Sequence, residues 1–225
     1  NLPWQGVLMI TSGLALTGGT LILIMGDGPH RQKASKFDPK VLLRVFTNKE
    51  FRAPAFGYFG HMWELYTFWA FVPIIIFTYL EGFNVSFWSF AVIGIGTLSC
   101  IVGGYLSERF GAKQIAFLAL SISAVCCLLS AWVLNSANNQ LILIFLFVWG
   151  IAVIMDSPLF STLVAQSAPS ENKGTALTIV NSIGFLITIF SIQLLNSLIL
   201  ISDSPAIYML LAIGPILGLF ALSRK

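Results

Sequence analysis

Seven long apolar stretches constrain the fold of this chain more than any other feature. A helix needs about 20 apolar residues to cross the hydrocarbon core of a bilayer, and most of these stretches are separated by short connectors with turn-forming residues. The sequence therefore predicts an all-α, polytopic membrane protein with seven transmembrane helices, in which consecutive spans are antiparallel neighbours. The predicted spans are Pro3–Met25, Ala55–Leu80, Val85–Leu106, Lys113–Leu134, Gln140–Gln166, Lys173–Leu200 and Ser204–Leu222.

The composition fits insertion into lipid and argues against several other classes of protein. Hydrophobic residues make up 57% of the chain and charged residues only 9%, whereas a soluble domain carries about 25% charged residues. The net charge of +3 is modest, and without a basic face we expect no nucleic-acid partner. The cysteines lie inside apolar runs without metal-ligand spacing, so we expect small core residues and neither a metal nor another cofactor.

The basic residues predict how the spans are oriented. Lysine and arginine near the ends of spans are retained on the cytoplasmic side of the membrane. All twelve basic residues flank the first, third and fifth connectors or the C-terminus, and the other three connectors carry none. We therefore expect the C-terminus and the 27–53 connector to be cytoplasmic, in a plasma membrane or a bacterial inner membrane.

The first connector is the only long one, and it contains the segment FDPKVLLRVF. Asp38 suits the cap of a helix, and Pro39 suits the first helical position, where its missing N–H costs nothing. This pattern predicts a short amphipathic helix on the membrane surface, and a solvated linker with one helical turn is the alternative. The apolar face of the predicted helix consists of Val41, Leu42, Val45 and Phe46.

The stretch GGYLSERFGAKQ at 103–114 places charged residues between glycines and between two apolar runs. Part of it resembles the signature loop G-x-L-x-D-R-x-G-R-K of the major facilitator superfamily. Glu108 replaces the usual aspartate, and Ala112 replaces the usual first basic residue. By this resemblance, Glu108 and Arg109 latch two halves of a transporter together on the cytoplasmic side, whereas an ordinary charged turn is the alternative. The positions that match the loop are Gly104, Leu106, Arg109, Gly111 and Lys113.

The resemblance also implies a domain organisation. In that family a weaker copy of the loop lies between spans 8 and 9 of twelve. Residues 1–26 would then be equivalent to span 6, residues 27–53 to the central loop, and residues 54–225 to the C-terminal bundle of spans 7–12, which is a 3+3 inverted repeat. The implied partners are the N-terminal half of the same transporter and the lipid bilayer.

Three ionisable residues lie deep within the predicted spans, away from the span ends. Such a residue costs at least about 2.5–3.5 kcal/mol near the bilayer centre, so each one needs an explanation. Glu64 and Asp156 each lie about 14–15 Å from the cytoplasmic ends of their spans. His61 is three residues before Glu64, and the two side chains can hydrogen-bond and share a proton. We predict that all three belong to a proton or substrate path, and neutral packing residues are the alternative.

Further polar and helix-weakening residues accompany these groups. Asn181 can add hydrogen-bonding groups to the path, although such residues more often tie helices together. Pro73 and Pro158 each remove a backbone hydrogen bond and are expected to kink their helices.

Together these features predict a secondary active transporter of a small solute that works by alternating access and is coupled to protons. The buried charges of the chain are acidic, which favours proton coupling, or a cationic or neutral substrate, over an anion. The alternative is a polytopic sensor or binding protein of similar fold that moves no solute. We do not expect an enzyme, because the spans contain neither a nucleophile with its base nor a set of metal ligands.

Overall fold

The computed structural model describes residues 3–25, 45–170 and 173–224. Within these ranges the chain forms only helices, and seven helical spans are long and apolar enough to cross a membrane. This confirms the predicted fold class. The helices are α1 (Trp4–Ile24), α2 (Lys49–Tyr79), α3 (Val85–Phe110), α4 (Ala112–Leu134), α5 (Asn139–Met155), α6 (Ser157–Ser167), α7 (Lys173–Ile199), a 310 helix (Pro205–Ala212) and α8 (Ile213–Ser223).

Helix α1 belongs to a unit of its own, residues 1–36, and none of its residues is buried. The other helices form the second unit, residues 37–225. Most of the surface helix predicted before α2 lies outside the described residues. Of its predicted apolar face, Val45 is buried, and the ring of Phe46 lies 5.5 Å from the ring of Phe51.

Helix α2 begins six residues earlier than predicted. The Asn48 side chain accepts a hydrogen bond from the backbone N–H of Glu50 at 2.9 Å and caps the helix. The prediction started at Ala55 because the charged residues before it interrupt the apolar run, but a capped polar turn extends the helix beyond that run. The helix then continues through Pro54 and Pro73.

The packing of the six-span bundle shows two related groups of three spans. Helix α2 packs against α7 and α8, and the α5–α6 pair packs in the same way against α3 and α4. Helix α4 also packs against the 310 helix and α8, which joins the two groups. Helices α2 and α5 thus occupy equivalent places, each packed against two other spans. Helices α2, α4 and α7 begin at the same end of the bundle, which we call the basic end.

Close backbone contacts hold the central helices to their neighbours. A Cβ atom on Gly150 of α5 would lie 2.6 Å from the carbonyl oxygen of Val92 on α3. A Cβ atom on Gly60 of α2 would likewise collide with the carbonyl oxygen of Gly214 on α8. Small residues therefore bring the backbones of these two pairs of helices close together.

Gly111 forms the whole connection between α3 and α4. Its φ angle is +91°, in the region that favours glycine, and its N–H donates to the Ser107 carbonyl at 2.9 Å. The sequence loop around it is therefore a one-residue reversal between two antiparallel helices.

The fifth span is broken into α5 and α6 at Asp156. This residue separates the two helices, and Pro158 lies in the first turn of α6, where a proline is tolerated. The weak point in the helix thus coincides with the buried acid.

A polar layer separates two hydrophobic clusters inside the bundle. One cluster occupies the half near the basic end, and the other occupies the opposite half. On α2 the boundary falls between Met62 and Leu65, and on α4 it falls between Leu120 and Cys126. The boundary positions carry buried polar side chains, which we call the polar layer: His61, Glu64, Thr67, Ser123, Asp156, Thr188 and Ser191.

Candidate functional site

Glu64 is fully buried at the centre of the polar layer and accepts hydrogen bonds from three side chains. The indole N–H of Trp149 donates to Oε1 at 2.6 Å, and the Cys127 thiol donates to the same oxygen at 3.2 Å. The Ser123 hydroxyl donates to Oε2 at 2.8 Å. The carboxyl group therefore joins α2 to α4 and α5, and both of its oxygens are satisfied.

Ser123 allows this site to accommodate either protonation state of Glu64. Its Oγ also lies 3.3 Å from the carbonyl oxygen of Leu120. With Glu64 ionised, the hydroxyl donates to the carboxylate. With Glu64 protonated at Oε2, the acid can donate to Ser123, and the hydroxyl can turn to donate to Leu120. The hydrogen-bond network is then complete in both states, without any movement of a helix.

His61 and Asp156 form a second buried acid–base pair in the layer. Nδ1 of His61 lies 2.9 Å from Oδ1 of Asp156, and both side chains are fully buried. The two atoms are close enough for an ion pair, but they are not aligned for a hydrogen bond. His61 Nε2 and Asp156 Oδ2 have no hydrogen-bond partner among the described residues. This pair therefore places an imidazole and a carboxyl group together away from solvent, where they can share a proton.

A seam of hydroxyl groups extends the polar layer between α2 and α7. Thr67 Oγ1 lies 2.7 Å from Ser191 Oγ, and Thr188 donates to the Gly184 carbonyl at 3.0 Å. These hydroxyls satisfy one another and the backbone, so the seam is a hydrogen-bonded interface between the two helices.

Asn181 lies on a different surface from the polar layer. Helix α7 buries one stripe of residues, and Asn181 is exposed on another side together with Ser182, Gln193 and Asn196. The ring of Phe185 on α7 lies 5.6 Å from the ring of Tyr66 on α2. The amide groups of α7 therefore lie on the outer surface of the bundle, and the three ionisable residues lie inside it.

The residues of the signature-like loop lie at the basic end. Glu108 and Arg109 are exposed, and neither forms an ion pair with a described residue. Arg109 instead lies over the ring of Phe110, 5.4 Å from its centroid. Leu106 packs against the cluster near this end, and Lys113 is exposed. A Cβ atom on Gly104 would meet nothing within 4 Å, so the bundle itself does not require a glycine there.

Sequence reasoning missed the donors to Glu64. It treated Cys127 as a small core residue, whereas Ser123 and Cys127 of α4 are two of the three donors. The four-residue spacing of this pair was the available signal, since it places both side chains on one face of a helix. Among the described residues no group of three or more His, Cys, Asp or Glu side chains is arranged to hold a metal.

Comparison with known proteins agrees with this architecture. Residues 1–192 match the sequence model of the Major Facilitator Superfamily. The chain is 31% identical over 111 residues to the Probable galactarate/D-glucarate transporter GudP of Escherichia coli (strain K12). This match covers 48% of the chain and 24% of the relative, so the matched segment spans about a quarter of that protein's length. The chain thus belongs to the Major Facilitator Superfamily, and its seven apolar helical spans are those of a multi-pass membrane protein.

Proposed function

We propose that this chain is the C-terminal part of a proton-coupled secondary transporter that moves a small organic acid by alternating access. In this proposal residues 1–26 are span 6, residues 27–53 are the central loop, and residues 54–225 are spans 7–12. The basic end and the C-terminus face the cytoplasm. The observation that carries the proposal is the buried carboxyl group of Glu64, whose surroundings accept it with or without a proton.

The coupling proton is assigned to Glu64, and the His61–Asp156 pair is assigned to the same proton path. Both sites are enclosed in the structure, so a proton reaches them only when the surrounding helices move. The break at Asp156 gives α5 and α6 the freedom to move as separate segments. Protonation would neutralise Glu64 and relieve the cost of a buried charge, which favours one conformation of the carrier over the other.

The substrate class follows from two further observations. The name of the Escherichia coli relative refers to galactarate and D-glucarate, which are hydroxylated dicarboxylates. The exposed amides of Asn181, Gln193 and Asn196 offer donors and acceptors suited to hydroxyl groups. The apolar cores of the spans contain no lysine or arginine, so the cations that bind the carboxylates would come from the remainder of the protein. This proposal departs from the cationic or neutral substrate that the sequence favours.

The loop after α3 is assigned to the conformational cycle. Glu108 and Arg109 are exposed at the basic end and are available to the other half of the transporter. Contacts that form in one state and break in the other would allow them to act as the latch.

Transport in reconstituted vesicles tests the proposal. The complete transporter is placed in sealed proteoliposomes, and uptake of radiolabelled galactarate is measured with and without an inward pH gradient. We expect accumulation above the external concentration only with the gradient, accompanied by alkalinisation outside the vesicles. Binding without uptake would favour the sensor alternative. Uptake that is the same with and without the pH gradient would contradict proton coupling.

A further inference from the structure

A large groove lies at the basic end of the bundle, apart from the polar layer. Its volume is about 1420 Å³, whereas pockets for drug-sized ligands measure about 300–1,000 Å³. None of the three buried ionisable residues contributes to its walls. The groove therefore has room for a molecule larger than a small solute, and it lies apart from the residues assigned to proton transfer.

The deep part of the groove is lined by large apolar side chains. They include Phe59 and Trp63 of α2 and Ile213 and Leu217 of α8. Leu217 is 61% exposed and Phe190 of α7 is 70% exposed. Exposed apolar side chains on a membrane-spanning bundle are suited to contact with acyl chains.

The mouth of the groove carries a concentration of positive charge. Lys49, Arg52, Lys113 and Arg224 line it, with Glu50 as the one acidic residue in the lining. The four basic residues are exposed, and no carboxylate of a described residue lies within ion-pair distance of them. The guanidinium carbon of Arg224 lies 4.2 Å from the centroid of the Phe220 ring, which places this cation at the boundary between the charged mouth and the apolar wall.

We propose that this groove binds an anionic phospholipid. The phosphate of the headgroup would bind Lys49, Arg52 and Arg224, and one acyl chain would lie along Phe59, Trp63 and Leu217. Charge complementarity at the mouth selects an anionic headgroup, and the apolar depth selects a chain of lipid length. A soluble anion would pair with the cations but would leave the apolar walls uncovered. A neutral lipid would cover the apolar walls but would leave the cations without a counter-charge.

Lipid retention measured by native mass spectrometry tests this proposal. The complete transporter is purified in detergent and titrated with phosphatidylglycerol or with phosphatidylcholine of the same chain length. We expect the wild type to retain phosphatidylglycerol more strongly. Lys49→Gln, Arg52→Gln and Arg224→Gln should each weaken that retention by about fivefold, the effect of one basic side chain near an anionic membrane surface. Equal retention of the two lipids by the wild type would overturn the proposal.

Matched variants separate a built site from general attraction to the surface. Lys173→Gln removes an exposed cation at the same end of the bundle that does not line the groove. It should retain phosphatidylglycerol like the wild type. An equal loss in Lys173→Gln and Arg52→Gln would mean that lipid binds by surface charge alone, which contradicts a site in the groove.

A second pair of variants tests the acyl-chain path. Leu217→Trp fills the groove, and Leu186→Trp makes the same change at a residue of α7 that is 56% exposed outside it. We expect only Leu217→Trp to lower retention. Identical retention by the two variants would overturn the proposed path. Both positions are exposed, so unfolding temperatures in lipid-free detergent should match the wild type.

Discussion

Replacing Glu64 with glutamine should abolish coupling while preserving the fold. Glutamine has the shape of the protonated acid, and its carbonyl oxygen can still accept from Trp149 and Cys127. Its amide can donate to Ser123, whose hydroxyl then turns towards Leu120. All buried partners keep a hydrogen bond, so we expect the free energy of unfolding to change by less than about 1 kcal/mol.

Alanine at the same position provides the contrast in stability. Glu64→Ala removes the only acceptor of the Trp149 indole N–H that the described residues supply. A buried donor without a partner costs about 1–3 kcal/mol, and the cavity left by the side chain adds to this cost. Thermal or denaturant unfolding in one detergent should therefore rank alanine well below glutamine and the wild type.

The expected accumulation of substrate follows from the size of the proton gradient. One coupled proton supplies about 1.4 kcal/mol per pH unit, so a gradient of about two units can drive up to about 100-fold accumulation. With Glu64→Gln the site carries no exchangeable proton, and the sugar-acid probe should only equilibrate. Exchange between labelled and unlabelled probe needs no change of protonation and should persist. Glu81→Gln alters an exposed loop residue and should accumulate the probe normally. Accumulation by Glu64→Gln at the level of the wild type would refute the role of Glu64.

Three further changes test other parts of the account. Gly150→Ala should lower the free energy of unfolding by about 1–3 kcal/mol because its Cβ would meet the Val92 carbonyl. The control Gly94→Ala should be neutral or stabilising, because its Cβ would meet nothing within 4 Å. Equal unfolding curves for the two variants would contradict the close packing at Gly150. Gly111→Ala should cost about 1–3 kcal/mol through its positive φ angle, measured by the same unfolding assay. Glu108→Gln should slow uptake in proteoliposomes without changing the unfolding curve, because the side chain is exposed, and an unchanged uptake rate would exclude it from the latch.

The number and class of the spans could be predicted because hydropathy over about 20 residues is a strong signal. A kink in the fifth span was expected from Pro158, and the structure breaks this span at Asp156, two residues earlier. The start of α2 was placed too late because the side-chain cap supplied by Asn48 outweighs the loss of apolar character. Local composition thus located the helices better than it located their ends.

The partners of the buried charges could not be predicted from spacing. His61 and Glu64 are three residues apart, which suggested a contact within one helix. In the structure His61 pairs with Asp156, 95 positions along the chain, and Glu64 bonds to side chains of two other helices, Ser123 and Trp149 among them. The rotation of each helix about its axis selects the partners, and that rotation is set by contacts between helices, including glycine contacts that a single sequence does not reveal.

Infrared difference spectroscopy of the reconstituted transporter tests the central claim most directly. Spectra recorded with and without the sugar-acid probe report whether a buried carboxyl group gains or loses a proton during binding. We expect a carboxyl band in the wild type that shifts in heavy water and disappears in Glu64→Gln but not in Glu81→Gln. A band that survives in Glu64→Gln, or a wild type without any such band, would contradict the assignment of the coupling proton to Glu64.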